Sequence, residues 1–197
     1  MDRIYLRPDG TVNMDSNYIP QEDMDIMTKK HSEQPTSQLG TPGEVSVVGE
    51  FGTKDFRKTV IAFDGDLGAI AGGADLALGA LIYTFPAGVI RVNSVKANFS
   101  LQQKDGKVTA DTPEVGIGST VGTGVTDTLA TTTDNILAGV AITDCDGTVE
   151  KRVASSTHTV LEDAAHTVFF NVADGWAADG DAALGFTGEV VITWEIL

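Results

Sequence analysis

The sequence predicts an all-β fold, a jelly-roll-like antiparallel sandwich with an extended N-terminal arm, on three observations. Glycine is abundant, at 22 of 197 residues, against only 13 lysines and arginines, and no long stretch repeats at the helical period. Short runs rich in Val, Ile, Thr and Phe recur with turn residues between them at a spacing of about 8 to 12 residues, the pattern of sandwiches and jelly rolls. The closing segment alternates: Ala182, Leu184, Phe186, Val190, Ile192, Trp194 and Ile196 share one face, with Glu189, Thr193 and Glu195 on the other.

Residues 1–43 form the arm, since they hold four of the six prolines and all four methionines and show no sustained alternation. Pro8-Asp9-Gly10, between Ile4-Tyr5-Leu6 and Thr11-Val12, predicts a small hairpin. Pro20 followed by Gln21, Glu22 and Asp23, with Lys29 and Lys30 at the far end, predicts a short helix whose charges suit its dipole. The tract HSEQPTSQLGTPGE is then a linker. A lone hairpin and so short a helix are each marginal in water, so the arm needs a surface to lie on. Its apolar anchors are Ile4, Tyr5, Leu6, Tyr18, Ile19, Met24 and Met27.

The sandwich domain covers residues 44–197, with strands expected at 45–51, 58–63, 81–85, 89–101, 114–117, 136–142, 148–153, 157–161, 166–172 and 182–196. Segments 81–85 and 89–101 meet at Pro86-Ala87-Gly88, where Pro86 fixes φ and Gly88 takes a left-handed conformation, so they are predicted to pair as a hairpin. In the second arm Ile90 and Val92 share one phase, and Val95, Ala97, Phe99 and Leu101 the other. A β-bulge at Asn93-Ser94 would return all six to one core. Residues 119–134, rich in Thr and Gly, read as an extended loop or edge strand.

The formal charge of -15 argues against direct binding to nucleic acid or to an anionic membrane. No clean run of about 20 apolar residues offers a membrane span, and the N-terminus lacks the pattern of a signal peptide. Cys145 is the only cysteine, so no intrachain disulfide forms and the chain is compatible with folding in a reducing cytosol.

Gly116, Gly118 and Gly122 are spaced loosely like a dinucleotide loop, but no helix-forming run or phosphate-binding lysine follows. The Asp64-Gly65-Asp66, Asp144-Cys145-Asp146-Gly147 and 174–181 clusters fit solvated turns better than a calcium loop. Cys145, His158 and His166 match no zinc spacing, and Ser155, Ser156 and His158 sit in no nucleophile elbow. No catalytic residue, metal or cofactor is expected, and the chain reads as a non-enzyme. Lys54, Arg57 and Lys58 gather at the domain edge as docking charges for an acidic partner, and Arg91, Lys96, Lys104 and Lys107 lie around the 89–101 strand.

The segments YTFPAGVIRVNSVKANFSL and GEVVITWEIL resemble structural proteins from the virions of tailed bacteriophages, especially marine ones. The resemblance implies a capsid decoration or cement protein, a β-sandwich made in the host cytoplasm and located on the capsid surface of the virion. Such a protein binds the major capsid protein as a homo-oligomer, here expected to be a trimer, and reinforces the joints between capsid subunits. The arm anchors would then act by surface burial and strand addition. A tail- or fibre-associated virion protein would satisfy the same residues. Two further readings are a carbohydrate-binding sandwich using Trp176 and a glycan-cleaving enzyme with paired carboxylates in a cleft.

Overall fold

The structure is a computed structural model that describes residues 5–6, 12–13, 40–53, 56–108, 112–143, 145–147, 151–155, 159–162, 166–176 and 180–197. The chain divides into two compact units, residues 1–37 and 38–197. In the first, β1 (Tyr5–Leu6) pairs antiparallel with β2 (Val12–Asn13), Leu6 opposite Val12, which is the hairpin that Pro8-Asp9-Gly10 predicts. The helix expected after Pro20 lies outside the described residues.

The second unit is an antiparallel β-sandwich. Its strands are β3 (Thr41–Pro42), β4 (Ser46–Thr53), β5 (Phe56–Asp66), β6 (Ala74–Thr84), β7 (Ile90–Gln103), β8 (Glu114–Gly118), β9 (Leu137–Ala141), β10 (Lys151–Ser155), β11 (Thr159–Leu161), β12 (Thr167–Trp176) and β13 (Leu184–Ile196). One sheet has six strands in the order β10-β7-β13-β5-β4, with β11 also paired to β7, and the other has five in the order β3-β6-β12-β8-β9. The chain changes sheet at β3 to β4, β5 to β6, β6 to β7, β7 to β8, β9 to β10, β11 to β12 and β12 to β13, as a jelly roll does. β3, from the segment read as linker, joins the sandwich by pairing with β6.

The predicted bulge is present. Thr193 faces Ser94 and Trp194 faces Val92, so Asn93 is the extra residue, and Ile90, Val92, Val95, Ala97, Phe99 and Leu101 are all buried. The alternation of β13 also places Leu184, Phe186, Val190, Ile192 and Trp194 in the core.

The predicted 81–85 and 89–101 hairpin is corrected. β6 pairs with β12 and β3, whereas β7 pairs with β13, β10 and β11, so Pro86-Ala87-Gly88 is an arch between sheets. Gly88 has φ +125, so the need for glycine was legible although the partner of each strand was not. Asp64-Gly65-Asp66 is likewise the end of β5, paired with β13, and Asp174 and Gly175 lie within β12. In each case an Asp-Gly pair that suits a turn is held in a ladder by its neighbouring strand.

The two layers meet on an aromatic cluster. Phe170 of the five-stranded sheet stacks on Phe186 at 4.9 Å between ring centroids, with Phe63 at 5.2 Å and Phe99 at 5.6 Å, all three from the six-stranded sheet. Truncating so central a ring removes burial and leaves a cavity, so Phe170→Ala should cost about 3–5 kcal/mol. Urea unfolding measures this directly. A loss under about 1 kcal/mol would mean that the sheets are joined mainly elsewhere.

Candidate functional site

The two sheets treat their outer faces differently. The five-stranded sheet is covered by its own chain, since residues 119–136 run across it as a strap with one 3-10 turn at Thr131–Thr133. Asn171 points outward from β12 yet is fully buried. Its Oδ1 accepts the Gly122 N–H at 2.8 Å, and its Nδ2 donates to the carbonyls of Thr120 at 2.9 Å and Thr133 at 2.7 Å. Leu129 closes over Ala77 and Ala173. The glycines of β8 permit the approach, because a Cβ on Gly116 would lie 2.9 Å from Leu129 Cδ1 and one on Gly118 would overlap the Thr133 backbone.

The six-stranded sheet has no such cover over β4 and β5. Val47 is 76% exposed, Phe51 and Phe56 are each 56% exposed, and Ala62 and Lys58 lie on the same outer face. The ring of Phe51 lies against Gly49, and Lys58 is directly opposite Phe51 in the ladder. Farther along the face, Glu44, Val45, Val47, Ala62, Asp64 and Thr187 line an open groove of about 530 Å³. At one end of β7 and β13 the face is polar and bonded within itself: Glu195 pairs with Arg91 at 2.8 Å and accepts from Asn93 at 2.9 Å, and Ser94 meets Thr193 at 2.5 Å. Val47, Phe51 and Phe56 therefore form an apolar stretch at the β4–β5 edge, which suits a protein contact.

Beneath it lies a buried polar cluster. Arg57 is only 2% exposed, packs 5.5 Å from the Trp194 ring and pairs with Glu50 at 3.8 Å. This corrects its reading as a docking charge, since strand alternation sends Arg57 inward and Phe56 and Lys58 outward. Glu50 also accepts the Tyr83 hydroxyl and, at 3.0 Å, the Gly40 N–H, while Trp194 Nε1 donates to Thr59 at 2.7 Å. Burial raises the Tyr83 pKa well above its ordinary value, and the bonded, charged Glu50 carboxylate raises it further.

Of the other expected residues, Lys58 is exposed on this face. Lys54, Ile4, Tyr18, Ile19, Met24 and Met27 lie outside the described residues, and Tyr5 and Leu6 are described only as strand β1. Trp176 is fully buried, which removes the exposed aromatic of the carbohydrate reading. His166 contacts the Gly88 carbonyl at 2.7 Å, and Asp181 accepts the N–H groups of Lys104 at 3.1 Å and Asp105 at 3.0 Å, so both tie loops. Among the described residues no group of three or more His, Cys, Asp or Glu could hold a metal, and no helix is long and apolar enough to cross a membrane.

Phe51, Phe56 and Asn171 were missed as site and strap residues. For the phenylalanines a signal existed, because alternation along EFGT and FRK, with Thr53 opposite Phe56, puts both rings on the side opposite Glu50 and Arg57. For Asn171 there was none.

No family model matches the chain, and no curated protein does. Among solved structures, the arabinose-bound MgGH51 α-L-arabinofuranosidase aligns with 80% of this chain at 15% identity and a TM-score of 0.34. The chain spans 25% of that structure.

Two outcomes are expected. Asn171→Ala leaves three strap groups without their buried partner, so stability should fall by about 3 kcal/mol and cleavage within 119–136 should accelerate in limited proteolysis. Unchanged cleavage would show that the strap is held without Asn171. Because the folded Tyr83 pKa is raised above the unfolded value of 10.0, its stabilising contribution is complete below that pH and is lost as pH climbs past it. Tyr83→Phe should therefore flatten the fall of stability above about pH 10. Denaturant midpoints measured from pH 8 to 11 test this, and parallel curves for the two proteins would refute it.

Proposed function

We propose that the protein is a non-enzymatic structural component of a tailed-phage virion, a decoration protein that binds the assembled capsid and reinforces contacts between major capsid subunits. The observation that carries the reading is the uncovered apolar face of β4 and β5, with Phe51, Phe56 and Val47 exposed beside Lys58. A sandwich that covers one outer face with its own strap and leaves the other apolar is suited to burying that face against protein. The resemblance of 83–101 and 188–197 to virion proteins supports the setting, and the division into a 1–37 unit and a sandwich supports two contact regions.

In this reading the first unit contacts the major capsid protein through Ile4, Tyr5, Leu6, Tyr18, Ile19, Met24 and Met27, and the sandwich associates with its own copies into a homo-oligomer on the capsid surface. The excess negative charge limits nonspecific association. No cofactor takes part.

Co-sedimentation of the full chain with assembled phage shells tests the proposal. Saturable binding is expected, and Tyr18→Ala combined with Ile19→Ala should weaken it at least about tenfold, the effect of losing anchor burial, without moving the unfolding transition of the sandwich. Absence of co-sedimentation, or binding indifferent to the anchors, would overturn it.

A further inference from the structure

Strand β5 carries on its outer face, in order, Phe56, Lys58, Val60, Ala62, Asp64 and Asp66. The strand is thus aromatic and basic at one end, apolar in the middle and acidic at the other. Lys58 and Asp64 stand three residues either side of Ile61, about 10 Å from it in each direction. The β4 residues follow the same division, since Phe51 is opposite Lys58, and Val47 is opposite Ala62 at the groove that Val45 and Asp64 also line.

From this juxtaposition we propose that the β4–β5 face is a two-fold interface whose occupant is a second copy of this chain. Consider a two-fold axis lying between two such faces and crossing the strands at Ile61. It lays β5 antiparallel over the partner copy's β5 and β4 over the partner copy's β4. Lys58 of each copy then meets Asp64 of the other, Val60 meets Ala62, and the exposed Phe51 ring enters the groove beside Val45 and Val47. Each contact occurs twice, as isologous contact requires.

Charge complementarity selects this occupant. Among the described residues the ion pairs are Glu50 with Arg57, Arg91 with Glu195, and Lys104 with Asp66; Lys58 and Asp64 enter none of them. A wholly acidic partner would meet Lys58 favourably and Asp64, Asp66 and Glu44 unfavourably. A second copy turned end for end sets Lys58 against Asp64 twice. The apolar middle supplies burial, and the charges set the register. The inference rests on the reading of this face as protein-binding and names its partner.

The test is sedimentation velocity of the full chain over a range of concentrations, with Lys58→Glu, Asp64→Lys and the double charge reversal, all at exposed positions. The expected result is a dimer that dissociates on dilution, in place of the trimer that the sequence resemblance implies. Each single reversal should weaken it at least tenfold, and the double reversal should restore it, because both pairs of the interface are then re-formed with opposite sign. Phe51→Ser should weaken the dimer without altering the unfolding transition at concentrations where both proteins are monomeric.

A chain monomeric at every concentration overturns the proposal, as does a double reversal no better than the singles. Co-sedimentation with phage shells separates the two readings. If the chain is monomeric and the reversals abolish shell binding, the face belongs to the shell, and only the identity of its occupant was wrong. If the reversals change neither association nor shell binding, the face binds no protein and both readings of it fall.

Discussion

Strand β7 depends on one extra residue. Its core side chains change phase between Val92 and Val95, and without Asn93 set aside as a bulge either Ile90 and Val92 or the four that follow would face water. β13 is paired along the length of β7, from Leu184 opposite Gln103 to Ile196 opposite Ile90, so the bulge also fixes β13 and, through it, β5 and β4. The position of Lys58 and Phe51 on the outside therefore follows from a slip in alternation two and three strands away. The aromatic cluster depends on the same register, since Phe99 and Phe186 reach Phe170 only with β7 and β13 in phase.

The contrast between the two outer faces gives the functional argument its strength. A sheet face built from small residues and closely spaced glycines, as on β8 and β6, accepts a strap at backbone distance, and Asn171 supplies the polar partners such an approach needs in a buried setting. The β4–β5 face lacks a strap and carries protruding rings instead. Scattered exposed hydrophobics are ordinary on any surface. Three on one hairpin edge, beside the bonded polar pairs Arg91–Glu195 and Ser94–Thr193 of β7 and β13, are a patch.

Much of the fold was legible because strand alternation is a local property. The bulge, the closing strand and the first hairpin are each recorded in a few adjacent residues. Which strand pairs with which is not local. Pro86-Ala87-Gly88 encodes a reversal with a glycine at positive φ, and a reversal within a sheet reads the same as an arch between sheets. The site was legible in part for the same reason. TKDFRK was singled out by charge, but charge gives no direction, and alternation divides the run so that Arg57 is buried while Lys58 is presented. Asn171 was beyond reach because its three partners come from a segment about forty to fifty residues upstream.

The buried Arg57 has a consequence for the surface above it. Glu50 and Arg57 belong to β4 and β5, one on each strand of the hairpin, and Glu50 is bonded across the sandwich to Tyr83 of β6 while Arg57 lies on Trp194 of β13. An edge pair of strands is ordinarily among the easier elements of a sheet to displace. Here its inward side chains tie it to both sheets. A buried ion pair gives little net stability against a well-packed apolar alternative, but breaking it leaves an uncompensated charge, so departures from this one arrangement are costly. Phe51, Phe56 and Lys58 are the immediate neighbours of those tethered residues and are held in place before any partner arrives. Less ordering then remains to oppose association. The same polar cluster that removes Arg57 from the surface thus makes the remaining surface residues better suited to binding.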